Sequence, residues 1–532
     1  MPIILSDIKC PVGTPQEEIV ARAKKLLGLK DADILGAGVY KTSLDARKRN
    51  DIHSVCSVML QLRDRERELS LSKRRRDIRF FEDKDPEPLV STKKRDGRVV
   101  IAGFGPAGMF CALMLSELGY KPIVLERGAD VDTRTSSVEG FFCGGELDPN
   151  TNVQFGEGGA GTFSDGKLTT RIGDPLCRYV LKRLVEFGAP EEIMYLSKPH
   201  IGTDKLRSVV KNLRQRVIQN GGEVRFLSRL DGISLGGKGV GKVKTNGVEI
   251  DTSALVLAIG HSARDTFEML LENGVAIEPK AFSVGARIEH RQLDVDRSLY
   301  GGDSRELNLP KGEYQLSMRR PDGRAAYTFC MCPGGQVVAA ASEHGGIVTN
   351  GMSEFSRGGE NANAALVVSV NKDDFPSGAL GGIEFAKSIE RRAYDLTKSY
   401  KAPAMTVGAF LDGGSDSPSV LPTYRPDVVM SDLTKVLPNF VTDMMRQGLA
   451  KFSREMNCFG DRGALLTAPE TRTSSPVRIT RNEQGAALGI PNLYPCGEGA
   501  GYAGGIMSAA VDGIRTAMKI AEAFAPEQGV KP

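Results

Sequence analysis

Residues 98–126 read RVVIAGFGPAGMFCALMLSELGYKPIVLE, and this stretch decides how the chain folds. An apolar run predicts a buried strand, which leads into a turn with three glycines and then into a helix. In such a turn Gly103 permits the tight bend, Gly105 lets the backbone approach a pyrophosphate, and Gly108 lets the helix pack against the strand. The spacing is typical of a phosphate-binding turn.

A second apolar strand follows the helix and ends on Glu126. This acid comes about 20 residues after the turn, where a carboxylate can accept hydrogen bonds from both hydroxyls of a ribose. The start of the helix, at Pro106 and Ala107, is expected to face the phosphates. Arg127, next to the acid, is expected at the same ligand. A glycine-rich turn alone would not explain the acid, so the stretch predicts a dinucleotide-binding βαβ unit.

Three further segments extend this pattern. They read GGEVRF at 221–226, ALVLAIGHS at 254–262 and NLYPCGEGAGYAGGIMSAAVDG at 492–513. The first predicts a strand, the second predicts an apolar strand, and the third predicts a short strand, a glycine-rich turn and a helix. The residues of interest in these segments are Val224, Gly260, Gly497, Glu498, Gly505 and Ile506.

The order of these elements resembles the large FAD-binding family related to glutathione reductase, over about 96–265 and 455–520. More narrowly, the chain resembles the uncharacterised bacterial and plastid FAD-dependent dehydrogenases. The strings that carry this resemblance are FGEGGAGTFSDGK at 155–167, SVGARIEH at 283–290 and ETRTSSPVRI at 470–479.

The resemblance implies FAD as the cofactor, and no histidine or cysteine is placed to attach it covalently. It places Glu498 on the ribityl chain, the following helix at the flavin pyrimidine, and Gly260 beside the cofactor. The backbone near Val224 is expected to meet the adenine. The loop that is expected to lie along the cofactor contains Gly158, Gly159, Ala160 and Gly161.

The predicted fold class is α/β. A Rossmann-like three-layer ββα FAD-binding domain is expected in two segments, 96–268 and 453–525, around an inserted, mostly β substrate domain at 269–452. A small α+β domain at 1–90 precedes them, and a ferredoxin-like arrangement is considered for it. The charged stretch at 82–96, which carries two prolines, is the expected linker.

Size and composition bound the class of protein. A chain of 532 residues can form two or three domains with substantial cores. Charged residues at 26% and hydrophobic residues at 40% are ordinary for a soluble protein, and a net charge of +4 is too small to indicate nucleic acid. Nine scattered cysteines favour a reducing cytoplasm. No run of about 18 apolar residues predicts a membrane span, and no secretory signal is evident.

Catalytic candidates come from the family-like strings. Lys167 is expected near flavin N5 or O2, where it would stabilise the reduced anion; the alternative is a solvated loop lysine. On the predicted strand at 283–289, alternation places Arg287 and Glu289 on one face, where they could hold an anionic substrate. His290 is the candidate acid or base. The alternative is a surface ion pair beside an exposed histidine.

Arg472 and Ser474 belong to a stretch that packs carboxylate, guanidinium and hydroxyl groups together. The planar fork of Arg472 suits a carboxylate or phosphate, so both residues are candidate substrate contacts. The alternative is a polar loop whose hydroxyls cap the next strand.

Other chemistries are less well supported by the sequence. Cys330, Met331 and Cys332 suggest a redox pair of cysteines. Alternation along a strand would place the two thiols on one face, which is a poor geometry for a disulfide, so two cysteines buried in the core are favoured. The string GGKGVG at 236–241 opens no helix and predicts a hairpin, which leaves NAD(P)H only as a transient reductant. The five histidines are far apart, and no metal site is predicted.

These patterns predict an oxidoreductase that transfers hydride to or from flavin N5, with a small-molecule substrate or electron acceptor. Two alternatives stay open. The basic clusters at 47–49 and 73–76 would suit an RNA-directed flavoprotein with a nucleic-acid-binding N-terminal domain. A non-catalytic FAD-binding sensor or scaffold is the other.

Overall fold

The computed structural model describes residues 2–237, 239–414 and 416–526. Its first unit is an antiparallel sheet in the order β2-β3-β1-β4. The elements of this unit are β1 (Ile3–Cys10), α1 (Gln16–Leu27), β2 (Ile34–Asp45), β3 (His53–Leu62), α2 (Arg65–Arg74) and β4 (Ile78–Phe80). The connectivity βαββαβ with this strand order is the ferredoxin-like arrangement that the sequence analysis considered. The helix α2 is strongly polar, so apolar periodicity does not predict it.

The next unit begins with the βαβ stretch. Its elements are β5 (Arg98–Ala102), α3 (Pro106–Glu117), β6 (Ile123–Leu125), α4 (Val131–Phe142), α5 (Leu176–Glu186), α6 (Thr203–Gln219), β7 (Glu223–Arg225), β8 (Gly232–Gly236), β9 (Gly239–Thr245), β10 (Val248–Leu257) and α7 (Arg264–Glu272). β5 pairs in parallel with β6 and with β10, as the βαβ prediction requires. β8 and β9 pair antiparallel, which confirms the predicted hairpin around 236–241.

An inserted unit follows. Its elements are β11 (Ile277–Pro279), β12 (Phe282–Arg291), α8 (Gln292–Tyr300), β13 (Ser317–Arg319), β14 (Ala325–Cys332), β15 (Gln336–Ala339), β16 (Thr349–Met352), β17 (Asn361–Val370), α9 (Gly381–Thr397), β18 (Ala402–Thr406), α10 (Val407–Asp412), β19 (Val428–Met430), α11 (Asn439–Glu455) and β20 (Leu465–Glu470). Its main sheet has the order β13-β14-β17-β12-β20-β18-β19.

Two features of the inserted unit differ from the prediction. It is not mostly β, because the long amphipathic helices α9 and α11 pack on its sheet. The inserted sheet also extends past the predicted boundary at 452, since β20 pairs with both β12 and β18. An apolar strand carries no local sign of the sheet that it joins, so only the pairing places β20.

The chain then continues through β21 (Val477–Ile479), which pairs antiparallel with β11, and returns to the first parallel sheet with β22 (Leu493–Pro495) and α12 (Ile506–Ala523). β22 pairs in parallel with β10, with Leu493 opposite Leu255. The helix α12 packs against α3 at Gly513, where a Cβ atom would lie 2.2 Å from the carbonyl oxygen of Ala107. The parallel sheet therefore has the order β7-β6-β5-β10-β22 and is assembled from two distant segments.

Backbone hydrogen bonds join the N-terminal unit to the rest of the chain. The N–H of Thr42 donates to the carbonyl oxygen of Tyr195 at 2.7 Å, and the N–H of Ser197 donates back to Thr42 at 2.9 Å. Within the described residues, no helix is both long and apolar enough to cross a membrane.

Candidate functional site

At two glycines in the turn after β5, an added side chain would clash with other atoms of the protein. Gly103 has a φ of +97°, and a Cβ atom there would lie 2.3 Å from the carbonyl oxygen of Ala258. A Cβ atom on Gly108 would lie 2.0 Å from the carbonyl oxygen of Gly103. Gly105 is different, because its φ is −80° and the nearest atom to an added Cβ is 3.7 Å away, on Gly159. The protein fold alone does not require a glycine at 105, and the space that a side chain would fill lies at the N-terminus of α3.

Glu126 lies at the end of β6, beside this turn. Its carboxylate is buried and accepts hydrogen bonds from the backbone N–H groups of Phe104 at 2.8 Å, Gly128 at 2.9 Å and Gly156 at 3.0 Å. Oε1 accepts two of these bonds and Oε2 accepts one, so Oε2 keeps a lone pair for another donor. The predicted ribose-binding acid is therefore held rigidly next to the glycine turn.

The glycine-rich loop packs directly on the same turn. The N–H of Gly158 donates to the carbonyl oxygen of Phe104 at 2.9 Å, and an added Cβ on Gly159 would lie 3.0 Å from the Cα atom of Gly105. Ala160, half-buried, follows in a short turn. An added Cβ on Gly161 would lie 3.2 Å from the side chain of Ile506, the first residue of α12. The structure thus brings the predicted residues of three segments together.

Arg134 in α4, which the sequence analysis missed, fixes this loop. Its guanidinium is completely buried and stacks on the ring of Phe163 at 4.8 Å. It donates to the carbonyl oxygens of Asn152, Val153, Gly156, Glu157 and Gly159, at 2.7 to 3.2 Å. Burial lowers the pKa of Arg134 to about 10, and the charges of Glu126 and Glu157 oppose this shift. The sequence carries no motif for such a residue, because all its partners are backbone atoms.

The C-terminal turn meets the end of β10. An added Cβ on Gly499 would lie 2.5 Å from the carbonyl oxygen of Gly260, so the two chain segments touch through glycines. The N–H of Gly497 donates to Asp512 in α12 at 2.8 Å. Asp512 also binds Arg481 at 2.8 Å, which anchors the turn to the helix. Gly505 is the residue before α12 and has a φ of +88°.

Glu498 in this turn faces a histidine that the sequence analysis did not select. Oε1 of Glu498 lies 3.7 Å from Nδ1 of His261. Burial raises the pKa of Glu498 to about 7, although the Gly505 N–H and the Lys280 ammonium oppose the shift. Burial and the charges of Arg472 and Arg264 lower the pKa of His261 to about 3. Nε2 of His261 is buried and has no hydrogen-bond partner among the described residues.

Two other predicted cofactor contacts lie at the edge of this region. Arg127 stacks on the ring of Phe155 at 4.1 Å and pairs with Asp265 at 2.9 Å, so its guanidinium is occupied by protein groups. Val224 lies in β7, opposite Val124 of β6. Its contact with an adenine stays a prediction.

The guanidinium of Arg472 is not free to bind a ligand. It is buried and binds Glu390 of α9 through Nε at 3.0 Å and Nη2 at 3.1 Å. The same carboxylate is shared with Arg264 at 2.7 Å. The assignment of Arg472 as a direct substrate contact is therefore not supported, since its donors are used inside the protein. Ser474 is half-buried two residues later, and its role stays a prediction.

Arg287 and His290 are also removed from the surface. The Arg287 side chain is completely buried and forms a paired contact with Glu470, through Nε at 2.9 Å and Nη2 at 3.0 Å. His290 is buried against the rings of Phe459 at 4.7 Å and Tyr314 at 6.1 Å. Burial lowers the pKa of His290 to about 4. Neither side chain reaches the surface, so their roles as substrate contact and as acid or base are not supported by this structure.

Glu289 is buried as well, and its carboxylate contacts protein groups. It accepts hydrogen bonds from Thr423 at 2.6 Å and Asn361 at 3.0 Å. Lys167, in contrast, is partly exposed and pairs with the buried Asp165 at 2.7 Å. Its ammonium also donates to the carbonyl oxygen of Met331 in β14. Lys167 thus joins the glycine-rich loop to the inserted sheet.

The basic cluster at 73–76 lies at the end of α2. Arg75 pairs with Asp77 at 2.7 Å, and its three neighbours in the cluster are exposed. RNA binding by this surface stays a prediction. Among the described residues, no cluster of three or more histidine, cysteine or acidic side chains has the arrangement of a metal site.

Comparisons with known proteins identify relatives of this chain. Residues 281–473 match the model of a family described as "FAD-dependent protein, C-terminal domain-like", and residues 2–61 match a "Domain of unknown function (DUF8436)". An uncharacterised protein of Clostridium beijerinckii is 44% identical over 530 residues, which cover 98% of this chain and 99% of that protein. The chain belongs to the same family as that protein.

Solved structures with a resemblance are distant. The flavin-dependent brominase Bmp2 is 13% identical, with 81% of each chain covered and a TM-score of 0.38. NikD, an amino acid oxidase of nikkomycin biosynthesis, is 12% identical, with 80% of this chain and 94% of that chain covered and a TM-score of 0.35.

Proposed function

We propose that the protein is an FAD-binding oxidoreductase. The observation that carries the proposal is the meeting of Gly105, Glu126 and Gly159 at the N-terminus of α3. The protein fold does not itself require a glycine at 105, and a pyrophosphate would suit the space beside it. The buried carboxylate of Glu126 keeps a lone pair on Oε2, which suits a ribose hydroxyl. The family description of residues 281–473 supports FAD as the dinucleotide.

The remaining predicted contacts would follow bound FAD from its pyrophosphate to its flavin ring. The N-terminus of α3 suits the negative charge of the pyrophosphate. The turn at 497–499 and the N-terminus of α12 suit the ribityl chain and the flavin ring, because a helix N-terminus favours the negative charge of reduced flavin. When bound, FAD supplies the hydride or electron transfer.

Glu498 is the proposed proton-holding residue of this site. A carboxyl group with a pKa of about 7 is present in both protonation states near neutral pH. His261 stays neutral in the same range, since its pKa is lowered to about 3, and can therefore accept or donate a hydrogen bond without charge. We expect these two side chains to position and protonate the reacting end of the site, in place of His290.

An absorbance spectrum of the purified protein, before and after incubation with FAD, tests the proposal. Flavin bands are expected in the wild type and are expected to be lost in Gly105→Val, because the side chain would occupy the space of the pyrophosphate. Gly140→Val is the matched control, since Gly140 is exposed in α4 and no atom lies within 4 Å of an added Cβ. A Gly105→Val variant with full flavin content would refute the site.

The reaction class is tested by anaerobic addition of NADH and then NADPH. Rapid bleaching with one of them would identify a nucleotide-linked reductase or monooxygenase-type enzyme. Bleaching only with an organic substrate would identify a dehydrogenase or oxidase. A flavin that dithionite alone reduces would favour a non-catalytic sensor, and RNA that co-purifies with the full chain would favour the nucleic-acid alternative.

A further inference from the structure

The end of β14 departs from regular strand geometry at Cys330. The register between β14 and β17 shifts between Phe329 and Cys332. Cys330 has a φ of +44°, in the left-handed region that a residue with a side chain rarely adopts. The alternation that made a bridge between Cys330 and Cys332 unfavourable is therefore absent. Strained backbone of this kind is concentrated at functional sites.

The two thiols are close neighbours at this strand end. Sγ of Cys332 lies 3.4 Å from the carbonyl oxygen of Cys330, and each thiol shifts the pKa of the other. Cys330 is partly exposed, whereas Cys332 is buried. This combination resembles an attacking thiol with a resolving thiol behind it.

Two positively charged side chains bind the backbone of Cys330 and Met331. Nη1 of Arg287 donates to the carbonyl oxygen of Cys330 at 2.9 Å, and the ammonium of Lys167 donates to the carbonyl oxygen of Met331. The neighbouring Cys332 thiol and the positive charges of Arg287 and Lys167 lower the pKa of the Cys330 thiol against the effect of burial. A cysteine in such surroundings is reactive, because the thiolate is the nucleophile.

The segment also borders the proposed flavin site. Lys167, which donates to the carbonyl oxygen of Met331, belongs to the glycine-rich loop that packs on the Gly103–Gly108 turn. Cys10 and Cys56 in the N-terminal unit are a useful contrast. They lie on the paired strands β1 and β3, but both are buried, and burial raises the pKa of Cys56 to about 11.

We propose that Cys330 and Cys332 form a redox-active dithiol that carries electrons between the flavin and a disulfide substrate. The inference rests on the proposed function for its electron donor. The Cys330 thiolate attacks the substrate disulfide and releases one substrate thiolate. Cys332 then attacks the mixed disulfide, so that an Sγ–Sγ bond forms, and its proton leaves with the second substrate thiol. Two electrons and one proton from reduced flavin return the pair to a thiolate and a thiol.

The first test needs no flavin. The full-length protein is equilibrated in buffers of reduced and oxidised glutathione, alkylated, digested and analysed by mass spectrometry. The peptide with Cys330 and Cys332 is expected to lose both alkylation sites together in oxidising buffer and to regain them in reducing buffer. Cys10 and Cys56 are expected to stay unpaired. Failure of the 330–332 pair to respond would overturn the proposal.

The second test connects the pair to the flavin. Anaerobic dithiothreitol is expected to bleach the flavin of the wild type and of Cys143→Ala, whose thiol is exposed and remote in sequence. Bleaching is expected to be at least tenfold slower in Cys330→Ala and Cys332→Ala, although dithionite still reduces both variants. Equal rates in all four proteins would refute electron transfer through the pair. A pair that cycles in a protein that binds no FAD would instead refute the proposed function, and with it the flavin step.

Discussion

The carboxylate of Glu126 accepts a hydrogen bond from the backbone N–H of Gly156 at 3.0 Å, although the two residues are 30 positions apart. This contact joins the acid at the end of β6 to the glycine-rich loop. The same carboxylate binds the N–H of Phe104 inside the glycine turn. One buried side chain therefore sets the distance between the two loops that are proposed to enclose the cofactor.

Glu126→Gln is expected to weaken FAD binding at least tenfold. An amide offers one oxygen acceptor and no negative charge, and hydrogen bonds to a charged group are worth about 1.5–3 kcal/mol. Fluorescence titration of the flavin-free protein with FAD measures the change. Glu146→Gln, at an exposed position, is the control and is expected to bind as the wild type does. Unchanged affinity in Glu126→Gln would exclude its role at the ribose.

Arg134→Met is expected to lower the free energy of unfolding by about 3 kcal/mol or more, because it leaves several buried carbonyl groups without a donor. The glycine-rich loop should lose its order at the same time. Urea denaturation measures the stability, and protease sensitivity of 152–161 measures the loop. Arg171→Met, at an exposed position, should change neither. A stable Arg134→Met protein with a protected loop would contradict this account.

Glu498 is expected to make stability depend on pH. Its folded pKa of about 7 lies above the ordinary value of 4.5, so the folded state binds the extra proton between these two values. The free energy of unfolding should therefore fall as pH rises from about 4.5 to about 7, by about 3 kcal/mol at most, and the loss is complete above that range.

Glu498→Gln should remove this dependence and be more stable than the wild type at pH values above about 7. Denaturation curves at a series of pH values on both proteins measure the difference. Parallel pH profiles would show that Glu498 ionises normally and does not hold a proton near neutrality.

Arg287→Met is expected to destabilise the inserted sheet by about 3–5 kcal/mol, since the buried Glu470 loses its partner. The double variant Arg287→Met with Glu470→Leu should recover part of this loss, because no unpaired charge remains buried. Arg291→Met is the control on the same strand, where the side chain is 57% exposed. Equal losses in the single and double variants would argue against a coupled pair.

Local spacing was enough to predict the βαβ unit and the acid that follows it. The turn at 103–108, its flanking strand and helix, and the acid at 126 are close in sequence, and each needs a particular residue for a local reason. Gly103 needs a positive φ, and Gly108 needs the absence of a Cβ atom. Such requirements are visible in the sequence because the turn, its flanking strand and helix, and the acid recur at a fixed local spacing.

Only the tertiary structure decided the roles of the charged residues in the inserted unit. Arg287 reaches Glu470 across 183 positions, and Arg264 and Arg472 share Glu390. Sequence analysis could identify these guanidinium groups, but it could not tell whether they face a ligand or another buried side chain. That choice depends on which strands pair, and the same pairing places the irregular end of β14, with Cys330 and Cys332, beside the proposed flavin site.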